Sequence, residues 1–127
     1  MIYTKSQTAK FQVQFTNGAQ FSMADTTSDK GGSDAGFRPH ELLEAALASC
    51  MNMSLRMYAE KHSLPLSDIS VSVSLNRTNP DEPFFEYSVD FQGALSEAQK
   101  NQLILVLENC PVRNTLSKPL RFKLCTP

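Results

Sequence analysis

Three cysteines, Cys50, Cys110 and Cys125, carry the most versatile chemistry in this chain. A thiolate is a nucleophile and a metal ligand, whereas a buried thiol behaves as a small apolar filler. Cys50 lies in 41-ELLEAALASCMNM-53, within a stretch that has no charged side chain between Glu44 and Arg56. Core filling is the plainer reading of such a position. Cys110 directly precedes Pro111 and can cap the helical piece that follows. Free N–H groups and the helix dipole favour a thiolate there, and Arg113 adds positive charge nearby. Alternatively, Cys110 simply ends the apolar face of the helix before it. On position alone Cys110 is the easier thiolate. Cys125, two residues from the last residue, reads as incidental.

Other chemistries find less support. No C-x-x-C pair exists, and His40 and His62 fall at opposite ends of one expected helix. With Cys50 they fit no zinc spacing, so both read as surface histidines. No metal and no cofactor are expected. A G-x-S-x-G nucleophile motif is absent as well. The sequon-like Asn76-Arg77-Thr78 carries little meaning without a secretion signal.

The elements that position the thiols follow from patterning. Phe11, Val13 and Phe15 alternate with polar residues, Asn17-Gly18 turns the chain, and Phe21 and Met23 resume: a hairpin. Residues 25–36, DTTSDKGGSDAG, hold no core former but Ala35 and read as a mobile loop. Arg38-Pro39 opens a helix with Glu41 and Glu44 near its positive end, running to about His62 before Leu64-Pro65. That helix is apolar on nearly every side, which predicts burial on nearly every side. Alternation over Ile69–Leu75 and Phe85–Phe91 predicts two half-buried strands joined by NPDEP. Ser96-Glu97 starts a second helix, interrupted at Cys110-Pro111 and followed by a short piece through Leu116. Leu120, Phe122 and Leu124 predict a last strand with Cys125 at its end. Strands, helix, strands, helices, strand is an α+β order.

Composition agrees with one globular domain spanning residues 1–127: 41% hydrophobic, 20% charged. A net charge of -1 and a pI near 6.1, with scattered basic residues, argue against nucleic acid as a partner. The apolar run around Cys50 is too short to span a bilayer, and no signal peptide is visible, so no membrane partner is expected. The expected setting is soluble and cytoplasmic, where thiols stay reduced and a disulfide is transient. An odd number of cysteines points the same way.

Two segments, 39-PHELLEAALASCMNM-53 and 109-NCPVRNTL-116, then stand out together. In this order, with two strands and a helix between, they resemble the OsmC/Ohr family of osmotically induced and organic hydroperoxide resistance proteins. The resemblance covers essentially the whole chain. It implies an OsmC-like fold, antiparallel sheets packed around a long central helix, in an intertwined homodimer. Both active sites would lie at the subunit interface. It further implies that Cys50 is the peroxidatic residue and Cys110 the resolving one. Cys125 has no counterpart in the family.

In the family's peroxidases a glutamate directly follows the helix-start proline and holds an arginine from the N-terminal strand region. Here His40 takes that position and Glu41 comes next, while the strand region offers only Lys5 and Lys10. The first arginine is Arg38; Arg38, Arg113 or Lys10 could substitute. Glu41 and Arg38 therefore join Cys50 and Cys110 as candidate site residues.

The implied function is thiol-dependent reduction of an organic hydroperoxide, with a small or protein dithiol as reductant. An apolar site suits an alkyl peroxide, because each buried CH₂ contributes roughly 0.8 kcal/mol. The methionines near Cys50 could line that site or simply fill a core. The alternative is an OsmC-like dimer that binds a small hydrophobic ligand with little or no turnover.

Overall fold

In the computed structural model, which describes residues 1–126, the chain divides into two compact units, Met1–Leu43 and Glu44–Pro127. The first unit is built on a three-stranded antiparallel sheet: β1 (Tyr3–Ser6), β2 (Val13–Thr16) and β3 (Phe21–Ala24), in that order. The β2–β3 hairpin is the expected one. Asn17 fixes its turn, since Oδ1 accepts the N–H groups of Ala19 and Gln20 at 2.9 and 2.8 Å. Gly18 supplies the positive φ of 103° that the turn requires. β1 pairs with the outer side of β2 from Tyr3↔Thr16 to Ser6↔Val13.

Residues 25–36 differ from the mobile loop expected. They fold around Asp25, which is only 3% exposed. Its carboxylate accepts the N–H groups of Thr26 (2.8 Å), Ser33 (3.1 Å) and Ala35 (3.1 Å). Phe37 closes the segment by exchanging backbone hydrogen bonds with Met23 and Asp25, each 3.0 Å. Gly32 and Gly36 are needed for close approach, since a Cβ would collide with the carbonyl oxygens of Thr26 and Met23 respectively. A polar, glycine-rich composition here marks internally satisfied backbone rather than disorder.

α1 (Pro39–Lys61) starts at the expected proline. In the second unit it packs with β4 (Leu66–Asn76), β5 (Phe84–Gly93), α2 (Glu97–Val106) and α3 (Pro111–Leu116). Leu47, Met51, Leu55 and Ala59 repeat every fourth residue and form the buried stripe of α1. β4 and β5 pair antiparallel, with Ile69↔Phe91, Val71↔Val89 and Leu75↔Phe85 opposite one another. Their inward side chains meet the helix stripe. Ser96 caps α2 in a full capping box with Gln99. Leu103, Leu107 and Cys110 complete the core. Full burial of residues such as Leu55 and Leu103 contributes about 1.5–3 kcal/mol each.

The chain's own elements cover one stripe of α1 and leave Met53 59% and Met57 68% exposed, so burial on nearly every side is not reached within a single chain. One expectation is corrected. The last strand is absent: no strand is assigned after α3 among the described residues. Alternation alone does not make a strand; a ladder partner does, and none of the described strands pairs with residues 120–126. Phe122 is 98% exposed as a result.

Candidate active site

The second unit brings the two predicted thiols together. Cys50 is half-buried near the middle of α1, and Cys110 is fully buried at the N-cap of α3. Both are free thiols, and each influences the ionisation of the other. Burial works against a charge on Cys50. The backbone N–H of Val112, the Cys110 thiol and the Ser54 hydroxyl outweigh it and draw the Cys50 pKa below the ordinary thiol value. Cys110 goes the other way. Burial pushes its pKa up, and the neighbouring Cys50 adds to that rise against opposing N–H groups of Arg113 and Val112. These opposite directions favour the thiolate on Cys50 rather than on Cys110. The N-terminal turn of α3 does supply free N–H groups, but the Val112 N–H also serves the sulfur of α1.

Still within the second unit, a cleft of about 350 Å³ runs between α1, β5 and α3. Leu47 and Met51 flank Cys50 in sequence and form one wall. Phe84, Phe85 and Tyr87 of β5 form another, with Leu116, Ser117 and Arg113 from the α3 side.

This architecture has known relatives. The OsmC-like protein family matches residues 31–124. The chain belongs to the OsmC/Ohr family. An OsmC-like protein from Mycoplasma pneumoniae is 21% identical, with a TM-score of 0.76 over 91% of this chain and 85% of its own. An organic hydroperoxide resistance protein OsmC from Legionella pneumophila is 20% identical, with a TM-score of 0.67 over 92% of this chain and 88% of its own. The organic hydroperoxide resistance protein OhrB of Bacillus subtilis is 18% identical, with a TM-score of 0.64 over 92% and 89%. No curated protein sequence matches the chain. The mixed α+β arrangement of antiparallel sheets and one long helix is the OsmC-like fold.

Within this OsmC/Ohr chain the other two candidate residues form a pair of their own, in the first unit. Arg38 Nε donates to Glu41 Oε1 at 2.9 Å, and the Arg38 backbone N–H donates to the same oxygen at 2.9 Å. The Arg38 side chain and backbone together lower the Glu41 pKa. Glu41 thereby satisfies a peptide N–H just before α1 begins, a helix-start role. Both side chains are exposed, so the pair adds little stability. The four predicted residues thus form two pairs, Cys50 with Cys110 and Arg38 with Glu41.

His40 is exposed, and His62 stacks on Tyr58 with ring centroids 4.1 Å apart. Among the described residues no cluster of His, Cys, Asp and Glu could hold a metal ion. Cys125 is exposed, its thiol directed at the Lys123 carbonyl. The sequence reading missed Val112 and Ser54 as partners of Cys50. Both were within reach of helical arithmetic. Ser54 is one turn on from Cys50, and Val112 carries one of the unpaired N–H groups at the start of α3.

Proposed function

We propose that this chain reduces organic hydroperoxides with Cys50 as the attacking thiolate and Cys110 as the resolving thiol, in defence against oxidative stress. The observation that carries this is that Cys50 packs against the core containing Cys110, with the Cys50 pKa lowered and that of Cys110 raised. The Cys50 sulfur attacks the outer oxygen of RO–OH. The O–O bond breaks, Cys50 becomes a sulfenic acid, and the alkoxide takes a proton to leave as ROH. Cys110 then condenses with the sulfenic acid, forming a Cys50–Cys110 disulfide and releasing water. A small or protein dithiol restores both thiols by exchange. No metal or cofactor takes part in these steps. Arg38 and Glu41 are proposed to serve the site as its cation and carboxylate.

The working unit is read as a single OsmC-like domain, residues 1–127, acting as a homodimer in the cytoplasm. Exposed Met53 and Met57 on α1, and exposed Leu120, Phe122 and Leu124, support a second copy as the cover for these surfaces. Turnover of cumene hydroperoxide with a dithiol tests the chemistry. Wild type is expected to turn over, and Cys50→Ser to lose roughly three orders of magnitude or more, the scale for a removed nucleophile. Full turnover by Cys50→Ser would sink the proposal.

A second reading keeps the fold and drops the turnover: a dimer that holds a small hydrophobic ligand. It is favoured by the nature of the groups lowering the Cys50 pKa, which are a peptide N–H, a thiol and a hydroxyl, none of them a cation. A ligand seen by native mass spectrometry together with negligible turnover would select it.

A further inference from the structure

The turn that joins β2 to β3 holds an amide with chemistry of its own. Asn17 is followed by Gly18, the one Asn-Gly pair in the chain. With glycine next, the following amide nitrogen is sterically open and can attack the asparagine Cγ. Nothing lies within 4 Å of where a Cβ on Gly18 would stand. Four hydrogen bonds oppose that attack. The Gly18 N–H donates to Thr16 Oγ1 at 2.9 Å. Asn17 Nδ2 donates to Gln20 Oε1 at 2.7 Å. Asn17 Oδ1 accepts the N–H groups of Ala19 and Gln20 at 2.9 and 2.8 Å. Attack consumes the Gly18 N–H and expels Nδ2, so the first two contacts must be given up. The other two hold the carboxamide in place. This guard is local. Asn17, Gly18, Ala19 and Gln20 are all exposed to water. No apolar residue of the first unit is buried; its one buried residue is Asp25. Hydrogen bonds rather than a core keep the hairpin shut, and such segments open without global unfolding.

We infer that Asn17 is a latent deamidation site, held as a carboxamide while the turn is closed and converted when it opens. The Gly18 nitrogen gives its proton to hydroxide and bonds to Asn17 Cγ. The Cγ–Nδ2 bond breaks, and Nδ2 takes a proton from water and leaves as ammonia. Water then opens the resulting five-membered succinimide at either carbonyl. One opening gives aspartate. The other gives isoaspartate, whose main chain runs through the former side-chain carbon. Nothing is oxidised or reduced: asparagine and water become aspartate or isoaspartate and ammonia. Isoaspartate adds a methylene to the main chain between β2 and β3 and turns the former Oδ1 into a main-chain carbonyl. The pairing of Val13–Thr16 with Phe21–Ala24 then loses the turn that sets its register. β2 is the central strand of its sheet, so β1 loses its anchor as well. Conversion is irreversible, which makes the hairpin an ageing switch for the first unit. It goes beyond the peroxidase reading and does not rest on it, since no thiol takes part.

Ageing of the full chain in mildly alkaline buffer, folded and unfolded in guanidinium chloride, tests the site. Peptide mass spectrometry and enzymatic isoaspartate methylation follow Asn17. The folded chain is expected to convert at least about tenfold more slowly than the unfolded one, the scale of one or two net hydrogen bonds. Thr16→Val keeps a β-branched residue in β2 and removes the acceptor of the Gly18 N–H. It should speed conversion of the folded chain about threefold to tenfold and leave the unfolded rate unchanged. Gln20→Ala, which removes the acceptor of Nδ2, should speed the folded chain too. In the isoaspartate fraction, amide protection should fall in β2 and β3 and persist in α1 and α2. Conversion of the folded chain as fast as the unfolded one, or faster, overturns the inference. So does a folded rate that neither variant changes. Full protection of β2 and β3 in the isoaspartate fraction overturns the switch. Should Thr16→Val fail to fold, Gln20→Ala and the folded-to-unfolded ratio of wild type decide.

Discussion

Asp25 in the first unit and Cys50 in the second both lie among hydrogen-bond donors in partly dry surroundings, and the donors differ in number and kind. Asp25 receives three peptide N–H groups, and the Gln12 side chain also favours its charge. Burial opposes its charge, but those donors together hold its pKa below the ordinary carboxylate value. The Cys50 pKa is lowered by a peptide N–H, a thiol and a hydroxyl. A fully satisfied anion fixes the backbone around it. A partly satisfied sulfur beside a second sulfur keeps a lone pair and a partner for reaction. The same physics, donors set against desolvation, builds a structural pin in one region and a pair of thiols with oppositely shifted pKa values in the other.

The comparison breaks most readily through the core that carries the thiol donors. Leu103→Ala removes a fully buried side chain next to Leu107 and Cys110, and should cost about 2–5 kcal/mol in urea unfolding. A loss within about 0.5 kcal/mol, the range of surface substitutions, would mean that the second unit's core is not what holds Cys110 in place.

Asp25→Ala tests the other side. Hydrogen exchange at the Ser33 and Ala35 amides should quicken roughly tenfold or more, as charge-assisted hydrogen bonds are lost. The sign with pH follows from the lowered pKa. The Asp25 contribution is fully present above the unfolded carboxylate value and is lost as pH falls through the lower folded value. In wild type these two amides should therefore lose protection only in acid. Unchanged exchange in Asp25→Ala would return residues 25–36 to the open loop that their composition suggested.

Smaller effects sharpen the thiol side. Alkylation by iodoacetamide followed against pH should place the Cys50 midpoint below the ordinary thiol value and that of Cys110 above it. Since the two are in contact, they titrate as a pair in two apparent steps. The Cys50 thiolate stabilises the fold above its unfolded pKa, and that contribution fades as pH falls through the folded value. The neutral Cys110 stabilises below its unfolded pKa and is lost as pH rises through its raised folded value. Ser54→Ala should move the Cys50 midpoint upward, by less than Cys110→Ala does. A Cys110 midpoint below that of Cys50 would invert the assignment.

Much of the second unit was legible from residue pattern. Pro39 and the run to Lys61 gave α1, Ser96 with Gln99 gave the start of α2, and alternation gave β4 and β5. The pairing of the thiols was legible through the family resemblance, because contact between Cys50 and Cys110 depends on how α1 and α3 pack. Three features were hidden for separate reasons. Tyr3–Ser6 is too short to announce itself as β1. Asp25 looks like any loop aspartate until its N–H partners, up to ten residues away, converge on it. Leu120, Phe122 and Leu124 carry a strand's alternation, but none of the described strands pairs with them, and alternation cannot reveal a missing partner.

The central claim is that Cys50 attacks and Cys110 resolves. It is tested most directly by adding one equivalent of cumene hydroperoxide to reduced Cys110→Ser in the presence of a sulfenic-acid-specific probe, then mapping the label by peptide mass spectrometry. The label is expected on Cys50, and in wild type a Cys50–Cys110 disulfide in its place. An unlabelled Cys50 in Cys110→Ser, with label appearing instead on Cys110 in Cys50→Ser, would contradict it.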